Sequence, residues 1–333
     1  MPKVLVTGSS GHLGTALMLS LPSFSLTPIG IDILPPPHTT VVGSILDGPL
    51  ISSLLSTHGI SYILHTATLH KPHVASHPKQ AFIDTNISGT LALLEAATAP
   101  GSPVKGFIFV SSTTTFGAAL SPGPTKPAVW IDEAVVPVPK NIYGVTKVAA
   151  EDLCHLFHRQ TGLPIVVLRT SRFFPEEDDD EERRREVGGD NLKVLELASR
   201  RVDVEDVVRA VVAGVEKVEE VRWGTYIVSA PTPFKREGDE VGLLNGRARE
   251  GFEKAVPGVG ERMDRLGWGW QKRVDRVYDS SKAVRQLGWR PLYTFERALE
   301  LLEEGKDYRS ELTHKVGKRG YHATNTGVYT IDR

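Results

Sequence analysis

A cluster of glycines close to the N-terminus constrains the fold of this chain more than any other feature. Residues 7–14 read TGSSGHLG, between a short apolar run at 4–6 and an apolar-periodic stretch at 13–21. This order predicts a strand, a tight loop and a helix. Glycines let the backbone turn sharply and approach a pyrophosphate, while N–H groups and the positive end of the helix stabilise its charge. The segment predicts phosphate binding, the alternative being a tight turn without a ligand; the predicted contacts are Gly8, Ser10, Gly11, His12, Leu13 and Gly14.

An acidic residue supports a dinucleotide as the ligand. Asp32 lies at the end of the next predicted strand, at 29–33, and it follows Gly14 by 18 residues. A carboxylate in that place accepts hydrogen bonds from the adenosine ribose hydroxyls and repels a 2′-phosphate. The sequence therefore favours NAD over NADP.

The rest of the N-terminal half alternates predicted strands and helices. Further strands are predicted at 60–65, 106–111 and 164–169, with helices at 86–97 and 143–161. Such alternation, with apolar strands, predicts an α/β fold with a doubly wound parallel sheet (Rossmann) and a smaller C-terminal α/β substrate-binding cap. We expect an NAD-binding domain at 1–172, and a region at 173–333 that is mainly cap with segments returning to the core.

The C-terminal half has a different character. An acidic run at 176–182 precedes three arginines at 183–185, and we predict a solvated loop over 176–189 because like charges at that density repel. Beyond it, helices are predicted at 204–218 and 281–287 and a strand at 225–229.

Composition excludes several classes of protein. The chain has 333 residues, 39 Lys+Arg against 40 Asp+Glu and a net charge of -1, so it lacks the basic field that nucleic-acid binding requires. The chain has one cysteine, Cys154, so no intrachain disulfide can form, and this predicts a reducing compartment, the cytoplasm. We expect Cys154 on the buried face of a helix. The apolar run at 4–6 is broken by glycines, and no apolar stretch reaches 18 residues, so neither secretion nor membrane insertion is predicted.

The spacing Gly-x-x-Gly-x-x-Gly resembles the short-chain dehydrogenase/reductase superfamily, in which the reactive group is a tyrosine four residues before a lysine. Tyr143 and Lys147 have that spacing, which places both side chains on one helix face. A phenol has a pKa near 10, and a neighbouring ammonium favours its ionised form. Lys147 also has the reach to bond the nicotinamide ribose. Ser112, at the end of the preceding strand, is the expected third partner, with Thr113 and Thr114 as alternatives.

Three further segments resemble the extended branch of that superfamily, the NAD-dependent epimerase/dehydratase family. They are ILHTA at 63–67, NISGT followed by LLEAA at 86–97, and a C-terminal segment with KA at 282–283 and LGW before Pro291. The resemblance implies NAD as a recycled oxidant: Tyr143 takes a hydroxyl proton, hydride leaves a sugar carbon, and hydride later returns. An epimerase then needs room for the ketone to rotate or a second base, whereas a dehydratase needs an acid and a base. The resemblance also implies that Gly8, Gly11, Leu13, Asp32, Ala67, Asn86, Tyr143 and Lys147 contact the cofactor or its structural water, with Ser44 or Ile45 beside the adenine.

Two segments depart from the family pattern. Residues 168–175 read LRTSRFFP, so Arg172 replaces the asparagine of L-R-x-x-N-x-Y-G-P, and residues 199–206 read SRRVDVED, which loses the arginine and histidine of R-D-x-x-H-V-x-D. An arginine binds a phosphate or a carboxylate equally well. The candidate substrate ligands are Thr68, His70, Lys71, Thr114, Arg172, Arg201 and Arg276.

Histidines near the predicted nicotinamide allow more than one interpretation. His70 or His73 is a candidate second acid or base, or a substrate ligand, whereas His65 inside a strand motif is expected to be structural. No metal is predicted, because the spacing of His70, His73 and His77 matches no standard site.

The predicted function is epimerase/dehydratase-type chemistry on a sugar or sugar nucleotide. The alternative is an NAD-dependent dehydrogenase or ketoreductase of a non-nucleotide polyol, sugar acid or secondary metabolite. A non-catalytic NAD-sensing module is a third possibility, which Tyr143 and Lys147 oppose. The only expected partners are a small-molecule substrate and a second copy of the chain, without nucleic acid or membrane; Val145, Val148, Ala149 and Leu153 suit the helix pairing by which family members dimerise.

Overall fold

The computed structural model describes residues 1–35, 37–123, 126–177 and 181–317. The strands over these residues are β1 (Lys3–Thr7), β2 (Thr27–Asp32), β3 (Val41–Val42), β4 (Tyr62–His65), β5 (Gly106–Ser112), β6 (Val129–Ile131), β7 (Ile165–Thr170), β8 (Arg172–Phe173), β9 (Arg201–Val202), β10 (Trp223–Val228) and β11 (Arg276–Tyr278). The α-helices are α1 (His12–Ser20), α2 (Gly48–His58), α3 (Lys79–Phe82), α4 (Gly89–Thr98), α5 (Ile142–Thr161), α6 (Glu181–Val187), α7 (Gly189–Leu197), α8 (Val204–Val221), α9 (Glu240–Leu244), α10 (Ala248–Ala255), α11 (Val259–Arg265), α12 (Phe295–Glu303) and α13 (Glu311–Val316).

Seven strands form one parallel sheet in the order β10-β7-β5-β4-β1-β2-β3. Strands β5 and β7 are buried along nearly their whole length, as expected for a parallel sheet covered on both faces. Strand β1 lies between β2 and β4, with Val4 opposite Pro28 on one side and Tyr62 on the other. The chain builds outward from β1 to β3 and then returns to β4, so the strand order reverses at β1. In such sheets the ligand crevice lies at the carboxyl ends of the strands beside this reversal.

Alternate residues of β1 face opposite cores. Val4 and Val6 pack in the core that α1 and α8 cover, whereas Leu5 packs in the core that α2, α4 and α5 cover. Cys154 of α5 is fully buried in the second of these cores, as predicted. The predicted doubly wound parallel sheet is confirmed.

A third apolar core lies outside this sheet and unites the C-terminal elements. It includes Phe174, Leu195 of α7, Phe252 of α10 and Phe295 of α12. Strand β6, which precedes α5 in the chain, pairs with β11, while α8 and β10 return to the main sheet. The chain thus crosses between the two regions more than once, and the division at residue 172 stays a prediction.

The predicted solvated loop at 176–189 is wrong over its second half. Helix α6 covers Glu181–Val187, and residues 178–180 lie outside the described residues. Two glutamates in the first turn and two arginines in the last turn suit the helix dipole, and Arg185 pairs with Glu181 one turn away at 2.5 Å. Opposite charges four residues apart thus stabilise α6. The prediction of a loop considered only the repulsion between like charges. Across the described ranges, no helix is both long enough and apolar enough to cross a membrane.

Candidate active site

The glycine loop between β1 and α1 leaves room for a ligand close to the backbone. Gly8 has a φ of +71°, and a Cβ there would lie 2.8 Å from the Cα of Ala67. A Cβ on Gly14 would lie 1.9 Å from the carbonyl oxygen of Gly8, so neither position tolerates a side chain. The N–H of Gly11 donates to that same oxygen at 3.0 Å and closes the loop. The resulting cradle at the start of α1 fits the pyrophosphate of a dinucleotide.

Asp32 is fixed beside this loop. Its carboxylate accepts hydrogen bonds from the N–H of Ser10 and the N–H of Leu34, both at 2.9 Å. Ser10 itself does not line the cleft, and its hydroxyl bonds Thr39 at 2.7 Å, so this residue positions Asp32. The carboxylate retains acceptor capacity for ribose hydroxyls.

Removing this carboxylate is expected to weaken the preference for NAD. In Asp32→Ala we expect NADH affinity to fall about 10- to 100-fold while NADPH affinity falls less or rises, because hydrogen bonds to a charged group contribute about 1.5–3 kcal/mol. Fluorescence titration with both cofactors measures the ratio. Glu95→Ala, at an exposed position of α4, removes one negative charge elsewhere and serves as the control. An unchanged NADH/NADPH ratio in Asp32→Ala would contradict the assignment.

Tyr143 lies in the first turn of α5, where the chain enters the cleft. Asn141 caps this helix by accepting a hydrogen bond from the N–H of Gly144 at 2.9 Å. Tyr143 is buried and lines the cleft together with Ser112. Burial raises the pKa of Tyr143, the Ser112 hydroxyl lowers it, and the charge of Glu176 raises it. The phenolate therefore needs a nearby positive charge.

Lys147, the cation that the sequence predicts for this role, lies one turn further along α5. The side chain is 2% exposed, and its Nζ donates to the carbonyl oxygen of Val110 at 2.6 Å. The same atom lies 4.3 Å from the ring centroid of Phe109. Burial lowers the pKa of Lys147 to about 8, and the charge of Glu151 opposes this shift. Tyr143 and Lys147 therefore place two proton-carrying groups on one buried helix face.

A buried ion pair holds α5 against the sheet. Glu151 of α5 accepts from Arg169 of β7 at 2.6 Å and from the hydroxyl of Ser111 of β5 at 2.5 Å. Both charged side chains are less than a tenth exposed. The pair fixes α5 against the two strands whose ends carry Ser112 and the first cleft residues after β7.

Asn86 was predicted to contact the cofactor or its structural water, and the structure gives it another role. It does not line the cleft and is 2% exposed. Its Oδ1 accepts from the N–H of Leu69 at 2.8 Å and from the hydroxyl of Thr68 at 2.9 Å, and its Nδ2 donates to the Leu69 carbonyl at 2.9 Å and to Thr146 at 3.0 Å. The amide is thus fully used in joining the loop after β4 to α5. This expectation is corrected: Asn86 positions the site.

His65 is equally enclosed. Its Nδ1 bonds Thr7 at 2.8 Å and its Nε2 bonds Thr90 at 2.9 Å. Burial, together with the charge of Lys147, holds the pKa of His65 well below its usual value. This neutral ring ties β4 to β1 and α4, the structural role that the sequence predicts.

The cleft of about 1030 Å³ collects most of the predicted site residues. The predicted cofactor ligands among its lining residues are Gly8, Gly11, His12, Leu13, Gly14, Asp32, Ser44, Ile45, Ala67 and Tyr143. The predicted catalytic and substrate residues in the same lining are Ser112, Thr113, Thr114, Thr68, His70, Lys71, Arg172 and Arg276. His73 and His77 also line it, and the His73 ring accepts from the N–H of His70 at 2.7 Å. Within the described part of the chain, no group of three or more histidine, cysteine or acidic residues suits a metal ion.

Arg201 is a second correction. It was predicted to bind substrate, but it does not line the cleft and has no exposed surface. Glu196 accepts from its Nε at 2.9 Å and from its Nη2 at 2.7 Å, and its Nη1 donates to the backbone carbonyl of Glu176 at 2.6 Å. Arg201 is therefore a structural residue beneath the cleft wall.

Sequence reasoning missed several residues of the cap wall. Arg183, Arg200 and Arg273 line the cleft, and the first two pair with the buried carboxylate of Glu196. Arg183 was predicted to lie in a solvated loop, and the sequence did not indicate that this residue lies on a helix beside α7. Together with Arg172 and Arg276, these side chains give the cap wall an excess of positive charge.

Ser171 was also missed. It lines the cleft directly after β7, is 2% exposed, and its Oγ has no hydrogen-bond partner among the described residues. A buried hydroxyl without a partner is unfavourable, so this atom suits a ligand with a polar group. Ser171 directly follows a predicted parallel strand, and this position could have identified it as a cleft residue.

Comparisons with known proteins agree with this geometry. Residues 4–228 match the model of the NAD dependent epimerase/dehydratase family. The chain is 29% identical over 336 residues to a dTDP-glucose 4,6-dehydratase of Xanthomonas campestris pv. campestris (strain B100), covering 89% of this chain and 91% of that protein. It is 32% identical over 173 residues to a UDP-glucose 4-epimerase of Rhizobium meliloti (strain 1021), half of each chain.

Solved structures show the same fold. UDP-N-acetylglucosamine 4-epimerase from Bacillus cereus superposes with a TM-score of 0.63 at 18% identity, covering 90% of this chain and 97% of that one. UDP-glucuronic acid 4-epimerase from Bacillus cereus, in complex with UDP-glucuronic acid and NAD, gives 0.61 at 20% identity, covering 95% and 100%.

The family predicted from the motifs is confirmed, because the matching model spans more than half of the chain. Gly8, Gly11, Gly14, Asp32 and Tyr143 line the cleft, and Lys147 is buried one helical turn behind Tyr143. The chain belongs to the NAD-dependent epimerase/dehydratase family and is an NAD-dependent enzyme of the extended short-chain dehydrogenase/reductase class.

Proposed function

We propose that the enzyme oxidises a secondary alcohol carbon of a sugar nucleotide, alters the resulting keto sugar and reduces it again. The observation that carries this proposal is the cationic cap wall that shares one cleft with Tyr143. Five arginines line it, Arg172, Arg183, Arg200, Arg273 and Arg276, and a guanidinium suits the oxygens of a diphosphate. The first relatives, a dehydratase of dTDP-glucose and an epimerase of UDP-glucose, support the same substrate class.

In this proposal, the residues around Tyr143 handle the proton of the substrate hydroxyl. The Ser112 hydroxyl lowers the pKa of Tyr143 and lines the same cleft, so it suits a contact with the substrate oxygen. The buried ammonium of Lys147 favours the phenolate, which accepts the hydroxyl proton and later gives it back. NAD, when bound, accepts the hydride and returns it. Tyr143, Lys147, Ser112 and Thr113 are the proposed catalytic residues.

The first test is the state of the cofactor in the purified enzyme. We denature the fresh protein, quantify the released nucleotide by chromatography, and measure exchange with added NAD. We expect nearly one NAD per chain with poor exchange, because a recycled oxidant stays in place. Turnover of dTDP-glucose, UDP-glucose or UDP-glucuronic acid then identifies the substrate, and failure of the whole panel to bind or react would count against the proposal.

An NAD-dependent dehydrogenase or ketoreductase of a polyol, sugar acid or secondary metabolite is the second candidate. Arg172 in place of the family asparagine favours it, since a guanidinium binds a carboxylate as well as a phosphate. Reversible NAD or NADH binding to a site that is empty after purification would support this reading instead.

We further propose a cytoplasmic homodimer that forms through α4 and α5. Val145 and Leu156 of α5 are 48% and 46% exposed, which leaves apolar surface on that helix. The single cysteine agrees with a reducing compartment. Light scattering on the eluting protein measures the oligomeric state, and Leu156→Glu is expected to give monomers.

A further inference from the structure

One carboxylate of the cleft is not used in the mechanism above. Glu176 follows β8 and lines the same cleft as Tyr143. Its backbone is hydrogen-bonded, but among the described residues its carboxylate has neither a hydrogen bond nor an ion pair. The side chain is partly exposed, so a ligand that enters the cleft can contact this carboxylate.

Two hydrogen bonds fix the backbone of Glu176. Its carbonyl oxygen accepts from the Nη1 of Arg201 at 2.6 Å, and its N–H donates to the carbonyl of Phe173 at 3.2 Å. Arg201 is in turn fixed by two bonds to the buried Glu196. These bonds fix the backbone from which the acidic side chain enters the cleft, as expected for a residue that must be positioned.

Glu176 and Tyr143 line the same cleft. The charge of Glu176 raises the pKa of Tyr143, which agrees with this shared position. Burial raises the pKa of the Glu176 carboxyl, and the cations of Arg172, Arg201 and Lys71 oppose that rise.

The other described carboxylates of the cleft already have hydrogen-bond or ion-pair partners. Asp32 accepts two backbone N–H groups at the cofactor end, Glu196 pairs with arginines, and Asp275 lies 3.8 Å from Arg273. Residues 111–117, which lie beside Tyr143, read SSTTTFG and contain no acidic residue. Among the carboxylates that the structure describes in the cleft, Glu176 is therefore the one available for proton transfer.

We propose that Glu176 is a second proton-transferring residue, which removes a proton from the carbon next to the ketone formed at the oxidised position. The C–H bond breaks, the proton passes to an Oε of Glu176, and the electron pair forms an enolate whose oxygen accepts a hydrogen bond from protonated Tyr143. Return of the proton from Glu176 to the same face restores that centre, and loss of hydroxide from the next carbon gives dehydration. This inference rests on the proposed function and narrows it to reactions that include an adjacent carbon.

Solvent isotope exchange tests this step separately from hydride transfer. The NAD-loaded enzyme is incubated in D2O with dTDP-glucose, UDP-glucose and UDP-glucuronic acid in turn, and deuterium in the sugar ring is located by NMR. NADH formed on the enzyme is followed by absorbance in the same samples. We expect deuterium at a carbon adjacent to the oxidised one in the wild type. In Glu176→Gln we expect exchange to fall about 100-fold or more while NADH still forms.

Two further variants keep the test decisive. Glu177→Gln changes the neighbouring glutamate, which pairs with Lys193 at 2.7 Å outside the cleft, and it should exchange as the wild type does. Glu176→Asp should restore part of the exchange, as expected if a carboxylate is required. Sugar interconversion without deuterium in the wild type, or full exchange in Glu176→Gln, overturns the role of Glu176 and leaves the proposed function intact. Absence of NADH and of product with every sugar overturns both.

Discussion

Tyr143→Phe is expected to lower kcat by about 10²- to 10⁴-fold, the usual contribution of one general acid or base. The substitution removes the hydroxyl proposed to transfer the proton, and it leaves the buried ring in place. Because the ring still fills its buried position, bound NAD and the unfolding midpoint should stay close to those of the wild type. Turnover with the sugar nucleotide identified above measures the effect.

A second tyrosine provides a matched control. The hydroxyl of Tyr62 donates to Glu219 at 2.6 Å at an exposed site remote from the cleft. Tyr62→Phe therefore removes a hydrogen-bonded hydroxyl without touching the reacting groups, and its kcat should equal that of the wild type. Full activity in Tyr143→Phe would exclude the proton-transfer role of Tyr143 but not the fold or the NAD site.

Glu151→Ala is expected to lower the free energy of unfolding by about 3–5 kcal/mol, because it leaves the buried guanidinium of Arg169 without its counter-charge. The side chains of this pair are 8% and 9% exposed and their closest atoms are 2.6 Å apart. Ser111 loses its acceptor in the same variant. Urea unfolding followed by circular dichroism gives the change in stability.

The expected loss of stability in Glu151→Ala comes mainly from the unpaired charge of Arg169. A double variant separates the effect of this charge from the effect of losing the Glu151 side chain. Glu151→Gln combined with Arg169→Met removes both charges, so it should be more stable than Glu151→Ala. Glu216→Ala, at an exposed position of α8, removes a glutamate from a helix surface and should change stability by less than about 0.5 kcal/mol. A loss as small in Glu151→Ala would show that water reaches Arg169 and replaces the carboxylate.

The parts of the site that depend on short spacing were predictable. Gly8 and Gly14 are required because the loop backbone passes close to Ala67 and to itself, and the turn of α5 brings Tyr143 and Lys147 to one face. Both constraints act over a few residues, so the sequence pattern contains them. The alternation of apolar strands and helices predicted the doubly wound sheet for the same reason.

Residues whose partners are distant in the sequence were predicted less well. Asn86 was expected at the cofactor, but Leu69 and Thr146 together use its amide, and neither is a sequence neighbour. Arg201 was expected at the substrate, but packing buries it against Glu196 and the backbone of Glu176. A motif states which residue type occupies a position and not which groups fold against it.

The sequence by itself determined the sheet, the cofactor loop and the Tyr143–Lys147 pair, because backbone geometry and helix periodicity act locally. Only the tertiary structure decided how the cleft is charged. It brought Arg183 and Arg200 to the buried carboxylate of Glu196 and placed Glu176 in the lining of the cleft. Whether a charged side chain faces water, an ion-pair partner or a ligand depends on elements far apart in the chain, and burial makes that choice energetically large.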